Sequence, residues 1–147
     1  MAEAPRYLVG VDFSPRSRRA LAFARDLAAR SGATLTIAHV RPFSDVRSAV
    51  VLERGDLLRN PGRKLPRKIK ALYEEQLAAL RQDGERILLL KGAPDVALCR
   101  EARRGYDLLI LGRRGPGAIS SILPGSTALR TLACSTVPVL FVPAGKG

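Results

Sequence analysis

Five short apolar runs alternate with helical patterns along this chain and give the clearest guide to its fold. The runs cover residues 7–11, 34–40, 87–90, 107–111 and 137–142. Each run is nearly continuous in apolar residues, which is typical of strands buried on both faces of a parallel sheet. The sequence therefore predicts an α/β fold, an open, doubly wound, five-stranded parallel sheet with helices on both faces.

Polar caps, prolines and glycines mark the limits of the predicted helices. Ser14 can cap a helix that begins at Pro15 and ends before Gly32. Further helical patterns cover residues 67–83 and 94–104. Because helices separate the strands, each pair of strands is most simply a right-handed parallel unit.

Length and composition exclude several classes of protein. The chain has 147 residues, enough for a single domain over residues 1–147 and too few for two substantial ones. Hydrophobic residues make up 46% and charged residues 26%, which argues against a disordered or disulfide-stapled chain. No apolar run approaches the roughly 18 residues that span a bilayer, and the first residues lack a signal-peptide stretch, so we expect a cytoplasmic protein with no membrane partner. Cys99 and Cys134 lie in apolar helical patterns and are expected to be buried free thiols.

The charge balance is unusual, because 25 Lys and Arg residues against 13 Asp and Glu residues give a net charge of +12. Residues 47–70 contribute +6 of this excess, from eight basic and two acidic residues. These residues overlap a long connection, residues 41–66, which shows no sustained hydrophobic periodicity. One short helix is expected within it, around residues 49–58. Crowded like charges and few large apolar side chains predict a mobile basic segment here. Without interleaved aromatic residues, the segment either attracts nucleic acid through phosphates alone or is simply a solvated loop.

The richest candidate chemistry follows the fourth predicted strand, at the carboxyl end where open α/β sheets bind ligands. Four glycines fall within residues 112–125, and Ser126 and Thr127 open the next helical pattern. Glycines allow a backbone to approach an anion closely, and a helix start supplies unpaired amides. The pattern fits a phosphate cradle. The alternative is an ordinary glycine-rich connection in which Ser126 only caps its helix.

Two commoner nucleotide motifs do not fit this chain. The loop lacks the Gly-Lys-Ser/Thr ending of a P-loop, and the first strand is not followed by the glycine cluster of dinucleotide-binding proteins. Instead, the spacing Gly112-x2-Gly115-x9-Gly125-Ser126 resembles the ATP-binding pattern of the universal stress protein family. The strand that ends at Asp12 and the two final strands also resemble that family. The similarity covers nearly the whole chain except residues 41–83.

This resemblance implies a sheet of order 3-2-1-4-5 that binds ATP, alone or with Mg²⁺, in a cleft over strands one and four. It implies that Asp12 and Val40 lie by the adenosine, with Val40 against the adenine. The residues implied to hold ribose and phosphates are Gly112, Gly115, Gly125, Ser126 and Thr127. Arg113, Arg114 and Pro124 depart from the usual pattern, and the two arginines either add contacts to the phosphates or point to solvent. Any Mg²⁺ would be held mainly by the phosphates and water.

Asp12 and His39 each admit two interpretations. Asp12 either caps the turn after its strand or presents a carboxylate to ribose hydroxyls, and we favour the second. His39 is the only histidine and lies next to a strand end. Because no nucleophile is paired with it and alternation places it on the face opposite Val40, we favour a core role over a catalytic one.

The sequence thus favours an ATP-binding, nucleotide-dependent stress regulator or interaction module, with no catalytic residue identified. The alternatives are a slow ATPase and a basic adaptor that binds nucleic acid or an acidic protein through residues 47–70. We also expect a homodimer through the last strand, residues 137–142. That strand should form an edge that needs covering, and the resemblance implies its pairing across a twofold axis.

Overall fold

The computed structural model describes residues 2–41, 67–113 and 126–145. The strands are β1 (Arg6–Gly10), β2 (Thr34–Arg41), β3 (Arg86–Lys91), β4 (Leu108–Gly112) and β5 (Val139–Val142). The helices are α1 (Pro15–Ser31), α2 (Arg67–Leu80), α3 (Pro94–Ala102) and α4 (Ser126–Cys134). All strand pairs are parallel, and the order is β3-β2-β1-β4-β5. The predicted fold is confirmed.

Several predictions concern residues outside these ranges. They are the short helix around residues 49–58, the basic residues before Arg67, and the glycines Gly115 and Gly125. The end of the basic segment, residues 67–70, forms the first turn of α2, as the helical pattern over residues 67–83 predicted. Lys70 Nζ lies 3.4 Å from a carboxylate oxygen of Glu74 on the next turn, a pairing that supports the helix. Within the described ranges, no helix is long and apolar enough to cross a membrane.

Helix α1 shows how local sequence sets the limits of an element. Ser14 Oγ accepts a hydrogen bond from the backbone N–H of Ser17 at 3.2 Å, and Pro15 occupies the first helical position. The helix ends where Gly32 adopts a φ of 69°, a left-handed conformation that favours glycine. Both predicted limits are confirmed, because each depends only on residues next to the helix.

One apolar cluster lies on each face of the sheet, because side chains alternate along every strand. On the α1–α2 face, the buried residues include Val9, Leu21, Ile37, Leu77 and Ile110. On the α3–α4 face, they include Leu8, Ala38, Val40, Leu98 and Leu109. A sheet covered on both faces explains why the strands are apolar throughout.

Cys99 and Cys134 form a disulfide between α3 and α4, so the expectation of free thiols was wrong. The helical pattern correctly indicated burial, since Cys99 is only 3% exposed. It could not show that the two helices, whose cysteines are 35 residues apart in sequence, lie side by side. Their cysteine Cα atoms are 6.2 Å apart, within the range that a disulfide requires.

Candidate functional site

A cleft opens at the carboxyl ends of β1 and β4, the neighbouring strands at which the strand order reverses. Open α/β sheets bind their ligands at this position. The cavity has a volume of about 200 Å³. Its polar lining, at the start of α1, includes Asp12, Ser14, Arg16 and Ser17. Its apolar lining, from β2, α3, β4 and β5, includes Val40, Leu98, Leu111 and Phe141.

Asp12 lies in the cleft directly after β1, and its carboxylate is held by the start of α1. Oδ1 accepts a hydrogen bond from the Ser14 N–H at 3.0 Å, and Oδ2 lies 3.5 Å from Arg16 Nη2. Partial burial raises the pKa of Asp12, but hydrogen bonds with Ser14 and Ser17 and the charge of Arg16 outweigh it, so the pKa is below its usual value. The carboxylate is therefore ionised at neutral pH and can accept hydrogen bonds from hydroxyl groups.

Gly112 ends β4 and lines the same cleft. A Cβ at this position would lie 2.9 Å from the carbonyl oxygen of Arg16 and 3.0 Å from its carbonyl carbon. The end of β4 thus packs directly against the backbone of the first turn of α1. This contact gives Gly112 a structural reason to be glycine, in addition to the ligand role that the family resemblance implied.

Gly10 is a second close-packed glycine, and the sequence analysis did not identify it. A Cβ there would lie 2.6 Å from Leu111 Cδ2 and 3.2 Å from Leu98 Cδ1. Leu98 and Leu111 are both buried and form part of the apolar lining. A glycine inside an otherwise apolar strand is a known indication of such a close approach, and it could have drawn attention to this wall.

Val40 is 7% exposed and belongs to the apolar cluster of the α3–α4 face. It lines the cleft, as expected of a residue implied to contact adenine. Together with Leu98, Leu111 and Phe141 it gives the cleft an apolar wall. Such a wall suits a flat heterocycle, whose faces are apolar and whose edges are polar.

His39 belongs to the opposite face from Val40, as alternation predicted. It is 6% exposed, and its Nδ1 lies 2.7 Å from the carbonyl oxygen of Val11. Its ring packs between Phe13 at 4.6 Å and Tyr73 at 5.0 Å between centroids. Phe13 has a φ of 63°, which is unusual for a bulky residue. His39 also lines the cleft, but its contacts with Val11, Phe13 and Tyr73 are those of a packed interior side chain, which supports a core role.

The other predicted site residues fall in different places. Arg113 is exposed directly after β4, and its N–H donates to the Val142 carbonyl at 2.8 Å. Ser126 and Thr127 are the first two residues of α4, and Ala128 beside them lines the cleft. Gly115, Gly125 and Arg114 lie outside the described residues. Sequence reasoning missed Arg16 and Ser17, which reach the cleft only because of the turn that joins β1 to α1.

The strand order and the position of the cleft define an open parallel α/β protein with a ligand site at its switch point. A sequence model of the universal stress protein family matches residues 5–143. The chain therefore belongs to the universal stress protein family.

Similarity to individual proteins supports this family assignment. The "Universal stress protein in QAH/OAS sulfhydrylase 3'region" of Thermus aquaticus is 33% identical over 140 residues, covering 92% of this chain and 96% of the relative. A universal stress protein solved in complex with cAMP is 25% identical, with a TM-score of 0.62 and coverage of 98% and 100% of the two chains. The protein MJ0577 is similar in fold, with a TM-score of 0.70 at 24% identity and coverage of 99% and 100%.

Proposed function

We propose that this protein binds ATP in the cleft over β1 and β4 and acts as a nucleotide-dependent regulator or interaction module. The observation that carries the proposal is the cleft itself, where an ionised carboxylate and a guanidinium meet an apolar wall at the switch point of the sheet. A nucleotide needs these three groups together, since it joins a flat heterocycle, sugar hydroxyls and anionic phosphates. The family member solved with cAMP gives further support.

Within this proposal, each implied residue has a distinct part. Val40 contacts the adenine, and the Asp12 carboxylate accepts hydrogen bonds from ribose hydroxyls. The residues that hold the phosphates are Gly112, Arg113, Gly115, Gly125, Ser126 and Thr127. Among the described residues, no cluster of three or more His, Cys, Asp or Glu side chains could bind a metal. Any Mg²⁺ would be held mainly by the phosphates and water, with few protein ligands.

The same proposal covers assembly and location. β5 is an edge strand of the sheet, and its residues Val139, Leu140 and Phe141 are only partly buried. Pairing with β5 of a second copy would cover the unpaired backbone groups and these apolar side chains. We therefore propose a homodimer through β5. We also propose the cytoplasmic location expected from the sequence. Phe141→Lys should dissociate the dimer, and light scattering at micromolar concentration measures the mass directly.

Calorimetric titration with ATP tests the nucleotide proposal. Gly115→Val should abolish binding, because a branched side chain would fill the space that a phosphate group needs. Gly84→Ala is the control, since Gly84 lies in a turn away from the cleft, with a φ of 80° and no atom within 4 Å of an added Cβ. Gly84→Ala should bind ATP as the parent does. A Gly115→Val variant that binds ATP as tightly as the parent would show that the phosphate assignment is wrong.

The net charge of +12 favours one alternative, an adaptor that binds nucleic acid or an acidic protein through residues 47–70. Phosphate contacts lose affinity steeply as salt rises. A fluorescence titration with single-stranded and duplex DNA at several salt concentrations separates the two functions. Absence of binding at about 50 mM salt, where such contacts are strong, would remove the nucleic-acid alternative.

A further inference from the structure

Arg16 is the only lysine or arginine among the described residues that line the cleft. It lies in the first turn of α1, and its side chain is 30% exposed. Its backbone cannot shift easily, because its carbonyl group packs against the end of β4 at Gly112. The base of the Arg16 side chain is therefore held beside the end of β4.

The contact between Arg16 and Asp12 is weak for an ion pair. A single guanidinium nitrogen, Nη2, lies 3.5 Å from Asp12 Oδ2, whereas strong arginine–carboxylate pairs use two parallel hydrogen bonds at shorter distances. Within the described parts of the chain, the guanidinium makes no other hydrogen bond or ion pair. Most of its donors are thus available to a second acceptor, and the carboxylate remains 58% exposed.

We infer that Arg16 is the group by which the cleft selects phosphorylated ligands, and that binding replaces its contact with Asp12. Sugar hydroxyls donate to the Asp12 carboxylate, while a phosphate oxygen accepts hydrogen bonds from the Arg16 guanidinium. This inference rests on the proposed function and adds a specificity-determining residue to it. The loose ion pair keeps both side chains at the cleft and costs little to break.

The chemistry of the guanidinium favours a phosphate over a neutral group. Its planar donors match two phosphate oxygens at once, and hydrogen bonds between charged partners are about twice as strong as neutral ones. Partial burial of Arg16 reduces the screening of its charge by water. An uncharged nucleoside offers the guanidinium no such partner, so its affinity should not depend on Arg16.

The test compares ATP with adenosine on the parent protein and on Arg16→Gln. The ratio of ATP affinity to adenosine affinity should fall by about tenfold or more, the scale of a charged hydrogen bond, while adenosine affinity changes less than about twofold. Arg18→Gln is the matched control, because Arg18 is exposed on the same helix and does not line the cleft. It removes the same charge and should leave the ratio unchanged.

The possible results separate this inference from the function on which it rests. A parent protein that binds neither ATP nor adenosine refutes the proposed function. If the parent binds both and Arg16→Gln keeps the parental ratio, the nucleotide site stands and the role of Arg16 is refuted. Arg16→Lys guards against a folding defect, since it keeps the charge but loses the planar fork. It should give an intermediate ratio, and a ratio equal to that of the parent would also count against guanidinium recognition.

Discussion

Both faces of the sheet pack through an apolar cluster, but each face adds a different kind of contact. On the α1–α2 face the added contacts are polar: His39 bonds to the Val11 carbonyl, and Arg25 Nε lies 2.7 Å from Glu85 Oε1. On the α3–α4 face, the described contacts are mainly apolar, and one disulfide joins the two helices. The cleft combines both, since its charged groups come from the start of α1 and its apolar wall largely from the other face. The charged groups that can select a ligand and the apolar side chains that shape the cleft thus come from separate parts of the molecule.

The largest expected effect is on the α3–α4 face. Removing a disulfide that spans 35 residues should lower the free energy of unfolding by about 3–4 kcal/mol, mainly by increasing the entropy of the unfolded chain. Thermal melting with and without a reductant measures this loss. The variant Cys99→Ala/Cys134→Ala is the control, because its melting temperature should not respond to reductant. Two titratable thiols in the untreated parent protein would contradict the bond itself.

The next largest effect is expected where the two strands of the cleft meet. Gly112→Val should destabilise the protein by about 2–3 kcal/mol, because the new side chain overlaps the rigid backbone of Arg16. Gly84→Ala offers a comparison, since it adds no clash and should cost only about 1 kcal/mol for its positive φ. Denaturant unfolding of both variants measures the difference. Equal losses would mean that β4 and α1 separate easily.

The polar contacts of the α1–α2 face should make stability depend on pH. Burial raises the pKa of Glu85, but the hydrogen bonds of Arg25 and Gln82 and the charges of Arg25 and Arg81 outweigh it, so the pKa lies below its ordinary value of 4.5. A lowered folded-state pKa adds stability that is present above the unfolded pKa and lost as pH falls through the folded one. The free energy of unfolding should therefore decrease as the pH is lowered below about 4.5.

The variant Glu85→Gln tests this pH dependence. It should lose about 1–3 kcal/mol at neutral pH, because Arg25 keeps its charge without a carboxylate partner. It should also flatten the acid limb of the stability curve. Glu74→Gln is the control, because its carboxylate is exposed and pairs with Lys70 in the same helix. If both variants keep the parental acid limb, Glu85 does not set it.

The smallest effect on stability is expected from the cleft carboxylate. Asp12→Asn should change the free energy of unfolding by less than about 1 kcal/mol, because the Asp12 side chain is 58% exposed and its pairing with Arg16 is long. Asparagine keeps an oxygen that can accept from the Ser14 N–H. Under the proposed function, the same variant should weaken nucleotide binding. A loss of stability comparable to that of Glu85→Gln would show that the cleft carboxylate contributes as much to stability as the polar contacts of the α1–α2 face.

Local features were predictable from the sequence, and close approaches between distant segments were not. Ser14, Pro15 and Gly32 mark the ends of α1 through their own chemistry, so the prediction needed no tertiary information. Gly10 and Arg16 gain their roles only when β1, β4 and α1 meet.

Three further residues show the same limit. Glu85 follows Asp83 and Gly84 in what looks like an exposed polar turn, and its burial depends on Arg25, 60 residues away. Cys99 and Cys134 appeared only as buried positions, because periodicity describes each helix but not its neighbour. The strand order came from family resemblance, which carries tertiary information that no short pattern contains.

The disulfide also changes the covalent topology of the chain. It closes a ring through residues 99–134 that includes β4, the glycine-rich sequence 112–125 and all of α4. A protease that cuts once anywhere between Cys99 and Cys134 would leave the two fragments joined through sulfur. Nicked protein would keep its mass under non-reducing conditions and separate into two pieces only after reduction. A cut before Cys99 would instead release its N-terminal fragment under either condition, once the protein is denatured.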